Sequence, residues 1–230
     1  MQSPVNNRSN PSIRIAGWAG IIAPIFFVVL VAIESLLRPG YSQISDEISF
    51  LGVGQYEILQ NLNFIFTGML SIIFGLGVGK ALSTVQGITK VKLTTISLVI
   101  FGLGVIFAGI MLLLASPYPE NSSLAVEYFY LHTFASLLAF VAIITAQFLT
   151  WTALRNSNRR EWKSFRLLSL ISGIVSVNLL LLFLLTYSSE YQGLTERLFV
   201  SVPLIWIEAA GWKLNYISKT PIKKLTSKFL

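Results

Sequence analysis

Six residues of this chain could do chemistry together: Glu34, Arg38, Asn61, His132, Glu196 and Arg197. Glu34 and Arg38 stand four apart with the acid first, the order that favours an ion pair on a helix. His132 is the only histidine, and histidine is the commonest general acid or base. With Ser49 as nucleophile, Glu196 as a carboxylate partner and Arg38 or Arg197 facing a developing oxyanion, it would make an acyl or phosphate hydrolase or transferase. Without a reaction, the same groups would make a polar wall for a ligand. The sequence has no GxSxG, HExxH, P-loop or strand-led GxGxxG. One histidine and no cysteine leave no basis for a bis-histidine haem, a thiolate site or a multi-histidine zinc site. No metal and no cofactor is therefore implied.

What must position these groups is an apolar scaffold. Hydrophobic residues make up 54% of the 230 and charged residues 12%, against about 25% charged in soluble domains. The mean hydropathy is +0.71. Six apolar runs, at 13–37, 58–80, 92–115, 127–154, 165–187 and 195–213, each approach the roughly 20 residues that cross a hydrocarbon core. The expected fold is all-α: a polytopic bundle of six transmembrane helices over 13–214, between a short tail at 1–12 and a basic tail at 215–230. The first run follows Arg8 and Arg14, as a signal peptide would. It is too long for one and ends in Glu34-Ser35-Leu36-Leu37-Arg38 instead of a small-residue cleavage site, so it is read as a retained helix.

Lysine and arginine set the orientation. Four segments (the N-terminal tail, 80–92, 155–166 and 213–230) hold 15 of the 17, leaving Arg38 and Arg197 for the opposite face. Both termini are therefore expected in the cytoplasm of a plasma-membrane protein. Charge split among four short segments is not a nucleic-acid surface. The partners expected are membrane lipids, with a homo-oligomer left open. Asn121-Ser122-Ser123 is a glycosylation sequon on the outer face, relevant only in a eukaryotic secretory pathway.

Membrane helices pack through small residues, so small-residue spacing marks buried faces. Ala16, Gly20, Ala23 and Phe27 form one stripe of the first helix, which continues to Glu34 and Arg38. Gly68, Ser71, Gly75 and Gly79 mark the second, continuing back to Asn61, Gln60 and Glu57. Ala135, Ala139, Ala142 and Ala146 mark the fourth, and His132 lies on that stripe. On the sixth, Arg197 shares a sector with Ser201, Glu208 and Asn215, while Glu196 points about 100° away, so the two should not face one neighbour. Gly102, Gly104 and Gly109 make the third a packing helix, and Asn178 should make an interhelical hydrogen bond.

The segment "RPGYSQISDEISFLGVG", 38–54, interrupts this pattern. Pro39-Gly40 ends the first helix. Ser45 suits an N-cap with Asp46 and Glu47 in a first turn, and Gly52 suits a left-handed C-cap. A two-turn helix at the outer interface and an ordinary polar loop both fit these residues.

"YSQISDEISFLGVG", "NFIFTGML", the "LH" opening the fourth helix and "GLTERLFV" opening the sixth resemble the domain-of-unknown-function-998 family. Its members are six-helix prokaryotic membrane proteins, distantly similar in architecture to the DRAM-like family. The resemblance implies roles for Arg38, Ser49, Gly52, Asn63, His132, Glu196 and Arg197 and implies no activity. Such families tend to carry an acid after the third helix; "ASPYPE" here places Glu120 a little displaced.

The function expected from these residues is an outward-facing polar pocket that binds a lipid or amphiphile head group. Glu34, Arg38, Asn61, His132, Glu196 and Arg197 would line it, under a lid formed by 41–52. The alternatives are the His132 hydrolase or transferase and a small-solute transporter with its sixth helix broken at Pro203.

Overall fold

The computed structural model describes residues 10–84, 88–119, 122–155, 157 and 160–219. The terminal tails up to residue 9 and from residue 220, together with Glu120 and the sequon residue Asn121, lie outside the described residues. Six long helices follow one another: α1 (Pro11–Leu37), α2 (Glu57–Leu82), α3 (Ile88–Ala115), α4 (Ser123–Leu154), α5 (Lys163–Leu185) and α6 (Gln192–Ser218). Five of them, α1 to α5, are long and apolar enough to cross a membrane. Among the described residues there is no strand.

Local chemistry sets several ends. Pro11 opens α1 at a position where a missing N–H costs nothing. Ser122 caps α4 by accepting from the Ala125 amide at 3.2 Å. Most helices run a few residues beyond the apolar runs, because backbone hydrogen bonding continues past the last lipid-compatible side chain; α5 instead stops at Leu185, before Tyr187. Pro203 lies inside α6, which runs through it unbroken, so the helix break expected there is absent.

Each helix packs against its neighbours in sequence, and α1 packs against α6, so the six close into a ring. The expected faces make these contacts. A Cβ on Gly68 would lie 2.6 Å from the Gly102 carbonyl oxygen, and one on Gly102 would lie 2.7 Å from that of Gly68. Gly104 meets Ala139 in the same way, and a Cβ on Gly20 would reach within 3.2 Å of Gly211. Ala135, Ala139, Ala142 and Ala146 are all buried.

At the end of the ring remote from residues 38–56, large side chains fill the middle. Trp206 and Phe74 are fully buried, edge to face, and Trp206 Nε1 donates to Ser169 Oγ at 3.0 Å. Asn178, expected to bond across helices, is exposed and donates to the Ile174 carbonyl of its own helix. No neighbour reaches it, so the preceding turn supplies its acceptor.

Gly68→Ala should lower stability by about 1–3 kcal/mol, because backbone faces backbone and neither side can yield. Thermal unfolding in detergent measures it, and an unchanged midpoint would mean that α2 and α3 do not meet at this glycine pair.

Candidate functional site

Residues 38–56 leave α1, cross one end of the ring and enter α2. A non-helical segment against an apolar bundle needs partners for its backbone groups. A turn forms first, with Asp46 N donating to the Ser42 carbonyl and Ser42 N donating back to Asp46 Oδ2, both at 2.8 Å. A short 3₁₀ helix, Ile48–Gly52, follows. Its first turn begins at Ile48, so Ser45 is not its N-cap, and the acids precede it. Asp46 is tied into the Ser42 turn, where it also accepts from Ser45 Oγ at 3.1 Å. Ile48 and Leu51 are buried, while Ile44 is 53% exposed. Gly52 does not adopt the left-handed conformation; Gly54 does, at φ 78°. Gly52 is needed for space instead, since a Cβ there would lie 2.6 Å from Asn61 Oδ1.

This lid is tied down by side chains from three helices. Arg38 donates to the Phe50 carbonyl, and Asn61 Nδ2 donates to the Gly52 carbonyl at 3.0 Å. Glu57 accepts from the Gly54 amide at 2.8 Å and from Ser116 Oγ. On α6, Arg197 donates to the Asp46 carbonyl at 2.8 Å and to Tyr41 Oη at 2.5 Å. Tyr41 Oη in turn donates to the Glu47 carbonyl at 2.8 Å. The Ile48 amide donates to Glu196 Oε2 at 2.6 Å, and the Leu194 amide donates to the Ile44 carbonyl at 2.9 Å. Glu196 and Arg197 thus meet the same neighbour, contrary to the helical-wheel expectation. A packed helix occupies one sector of α6, whereas this segment crosses its first turns and reaches several sectors.

Beneath the lid lies a cavity of about 200 Å³, lined by residues of all six helices and by Glu47, Ile48 and Ser49. His132, Glu196 and Ser49, three of the expected site residues, line it; Glu34, Arg38, Asn61 and Arg197 do not. His132 is 4% exposed, and its Nδ1 lies 3.0 Å from the Ala108 carbonyl. A carbonyl can only accept, so Nδ1 carries the proton and Nε2 of the neutral ring is an acceptor. Ser49 Oγ donates to Glu47 Oε2 at 3.0 Å, and Gln192 Nε2 donates to Glu47 Oε1. Glu34 is 1% exposed, and neither of its oxygens has a hydrogen-bond partner. Glu34 and Arg38 are expected to form an ion pair; Arg38 instead donates to the lid backbone and makes no hydrogen bond to Glu34.

Glu47, Tyr41 and Gln192 were not singled out for the site by their sequence. Their only signal was membership of the polar stretches at 41–49 and 190–197, which face each other here. Between α4 and α5 the cavity reaches the surface: Leu137, Leu184 and Tyr187 line it and are 45%, 51% and 58% exposed. No group of three or more His, Cys, Asp or Glu able to hold a metal occurs among the described residues.

Burial pushes the Tyr41 phenol from 10.0 up to about 12, against the pull of the Arg197 guanidinium. Below pH 10 the phenol is protonated whether the lid is docked or free, so docking is unaffected. Between pH 10 and about 12 the free phenol ionises while the docked one holds its proton, so docking should weaken as pH rises through that window. In Tyr41→Phe this alkaline loss should vanish, and exchange of lid amides at neutral pH should rise roughly 5- to 100-fold because two partners lose a buried hydrogen bond. Hydrogen exchange of residues 44–49 measures both effects; equal exchange in the two proteins would remove Tyr41 from the latch.

No curated protein and no solved structure is similar enough to the chain to be matched. A family model does match, over residues 21–213, from the third turn of α1 to the last turns of α6, and so includes the lid and every residue lining the cavity. The chain belongs to the family described as protein of unknown function (DUF998).

Proposed function

We propose that the protein is a six-span membrane protein with both termini in the cytoplasm, and that its cavity holds an amphiphile. One observation carries the reading: the cavity joins buried polar groups under the lid to exposed apolar residues between α4 and α5. In a bilayer those exposed residues meet acyl chains, so a head group can sit under the lid while its tail stays in lipid. A pocket for a free polar solute would instead open to water. α6 carries Glu196, Arg197, Glu208 and Lys213, which makes it less apolar than the other five. Its packing against both α1 and α5 in the ring supports a sixth span beside them. The charge asymmetry of the loops supports the lid on the outer side.

Ser49 and His132 in one cavity also keep the hydrolase reading in view. Ser49 Oγ donates to a carboxylate, a contact through which a base could act. Covalent labelling of Ser49 by a fluorophosphonate would favour that reading.

Leu184→Trp should narrow the opening and cut co-purifying amphiphile about tenfold by native mass spectrometry from mild detergent. Full retention would contradict entry between α4 and α5, and an amphiphile-free wild type would remove the reading itself. In this cysteine-free chain, Gln43→Cys should react with a membrane-impermeant maleimide on intact cells, and Lys163→Cys only after permeabilisation. The reverse pattern would invert the topology.

A further inference from the structure

Hydrogen bonding within the protein uses up most of the cavity's donors and leaves two of its acceptors, His132 Nε2 and Glu196 Oε1, without a partner among the described residues. Ser49 Oγ donates to Glu47, Thr67 Oγ1 to Asn63 Oδ1 at 3.4 Å, and Thr133 Oγ1 to the Phe129 carbonyl at 3.0 Å. His132 spends its proton on Ala108, which leaves Nε2 bare. Glu196 Oε2 takes the Ile48 amide, while Oε1 has no partner. His132 and Glu196 are 4% and 8% exposed, so these two acceptors are reached only through the cavity. No lysine or arginine lines the cavity, because both nearby arginines are engaged with the lid backbone. Two carboxylates and one imidazole thus face a space whose remaining side-chain donors, among the described residues, are the hydroxyls of Ser136 and Tyr187. Glu196 keeps one carboxylate oxygen without a hydrogen bond among the described residues, and a buried acceptor left unpaired is costly, so an occupant gains most by supplying N–H groups and positive charge. The walls suit the same occupant. Six phenylalanines line the cavity, and the Phe64 and Phe129 rings each lie 6.0 Å from the imidazole. Aromatic faces attract a desolvated cation.

On the basis of the amphiphile reading, we propose that the cavity takes an ammonium head group. The cation lies against Glu196, Glu47 and His132 Nε2, and the hydrocarbon leaves between α4 and α5. Anionic head groups are excluded, since no cation or free amide waits for them.

The test compares head groups on one tail: decylamine, decanol and decanoate are titrated against the purified wild type by native mass spectrometry. Decylamine should bind at least about tenfold more tightly than decanoate, with decanol between them. Glu196→Gln keeps an acceptor for the Ile48 amide and removes the charge. It should weaken decylamine about tenfold more than it weakens decanol. A parallel arm offers phosphatidylethanolamine against phosphatidylglycerol. Selective retention of the former would identify a lipid amine as the source, and binding of decylamine alone a free amine. Decanoate binding as tightly as decylamine, or a Glu196→Gln protein that binds decylamine undiminished, overturns the ammonium assignment while the amphiphile site stands. If no head group binds, both fall. Should the variant not fold, the wild-type series decides by itself.

Discussion

The docking of residues 41–52 onto the first turns of α6 is the constraint on which the rest depends. A chain that leaves helical geometry at the end of an apolar bundle exposes carbonyls and amides that the surroundings cannot satisfy. Here the carbonyls of Ile44, Asp46, Glu47, Phe50 and Gly52 and the amide of Ile48 all find partners on α1, α2, α6 or Tyr41. The arginines are held because each donates to a fixed backbone oxygen, and Arg197 also lies over the Tyr41 ring at 5.5 Å. Gly193 completes the contact, since any Cβ there would collide with the Asp46 backbone. Charged residues that look like ligand groups in sequence are, for the most part, the fasteners of this segment.

The cavity's position follows from how bulk is distributed along the ring. Away from the lid, Gly17, Gly20 and Gly77 draw α1 against α6 and α2, and Trp206 and Phe74 fill the axis. At the lid end, Phe27 and Leu204 pack with Ile48 into a small separate cluster, leaving the middle to aromatic walls. The ring is loosest at α5: 22% of its most apolar stretch is buried, against 44–50% in the four other qualifying helices. Low burial there is what opens the side of the cavity, and it also leaves Asn178 without a partner on another helix.

Much of this was legible in the sequence, and the limit has a physical origin. Helix number follows from the length needed to cross hydrocarbon, and buried faces follow from the close approach that only glycine and alanine permit. Helical spacing therefore put Glu34 and His132 inside, where they are. It could not divide the polar residues between cavity and lid, because the path of 38–56 has no period to read. Arg38, Asn61 and Arg197 were grouped with His132 for that reason. The same lack of periodicity hid Tyr41 and Glu47, and moved the left-handed glycine from Gly54 to Gly52. Gln192 was hidden differently: as an exposed-looking residue at a helix start, it gave no sign that an acid from residue 47 would lie against it.

Ring closure explains why these distant stretches meet and what their meeting allows. Because α1 packs against both α6 and α2, the segment that leaves α1 emerges beside the start of α6 and docks on it before entering α2. Among the described residues, every hydrogen bond that fastens it to the ring is made to Arg38 at the end of α1, to α2 or to α6. The exposed edge of the cavity, by contrast, belongs to α4 and α5. The two structures share the cavity but no fastening contact. An amphiphile sliding in from the α4–α5 side would therefore leave the lid's hydrogen bonds intact. Entry from above would first have to break the Arg197, Glu196, Asn61 and Arg38 contacts together. For the proposed amphiphile, that difference would make the side route the low-cost one, with the lid closing the polar end while exchange proceeds through the apolar side.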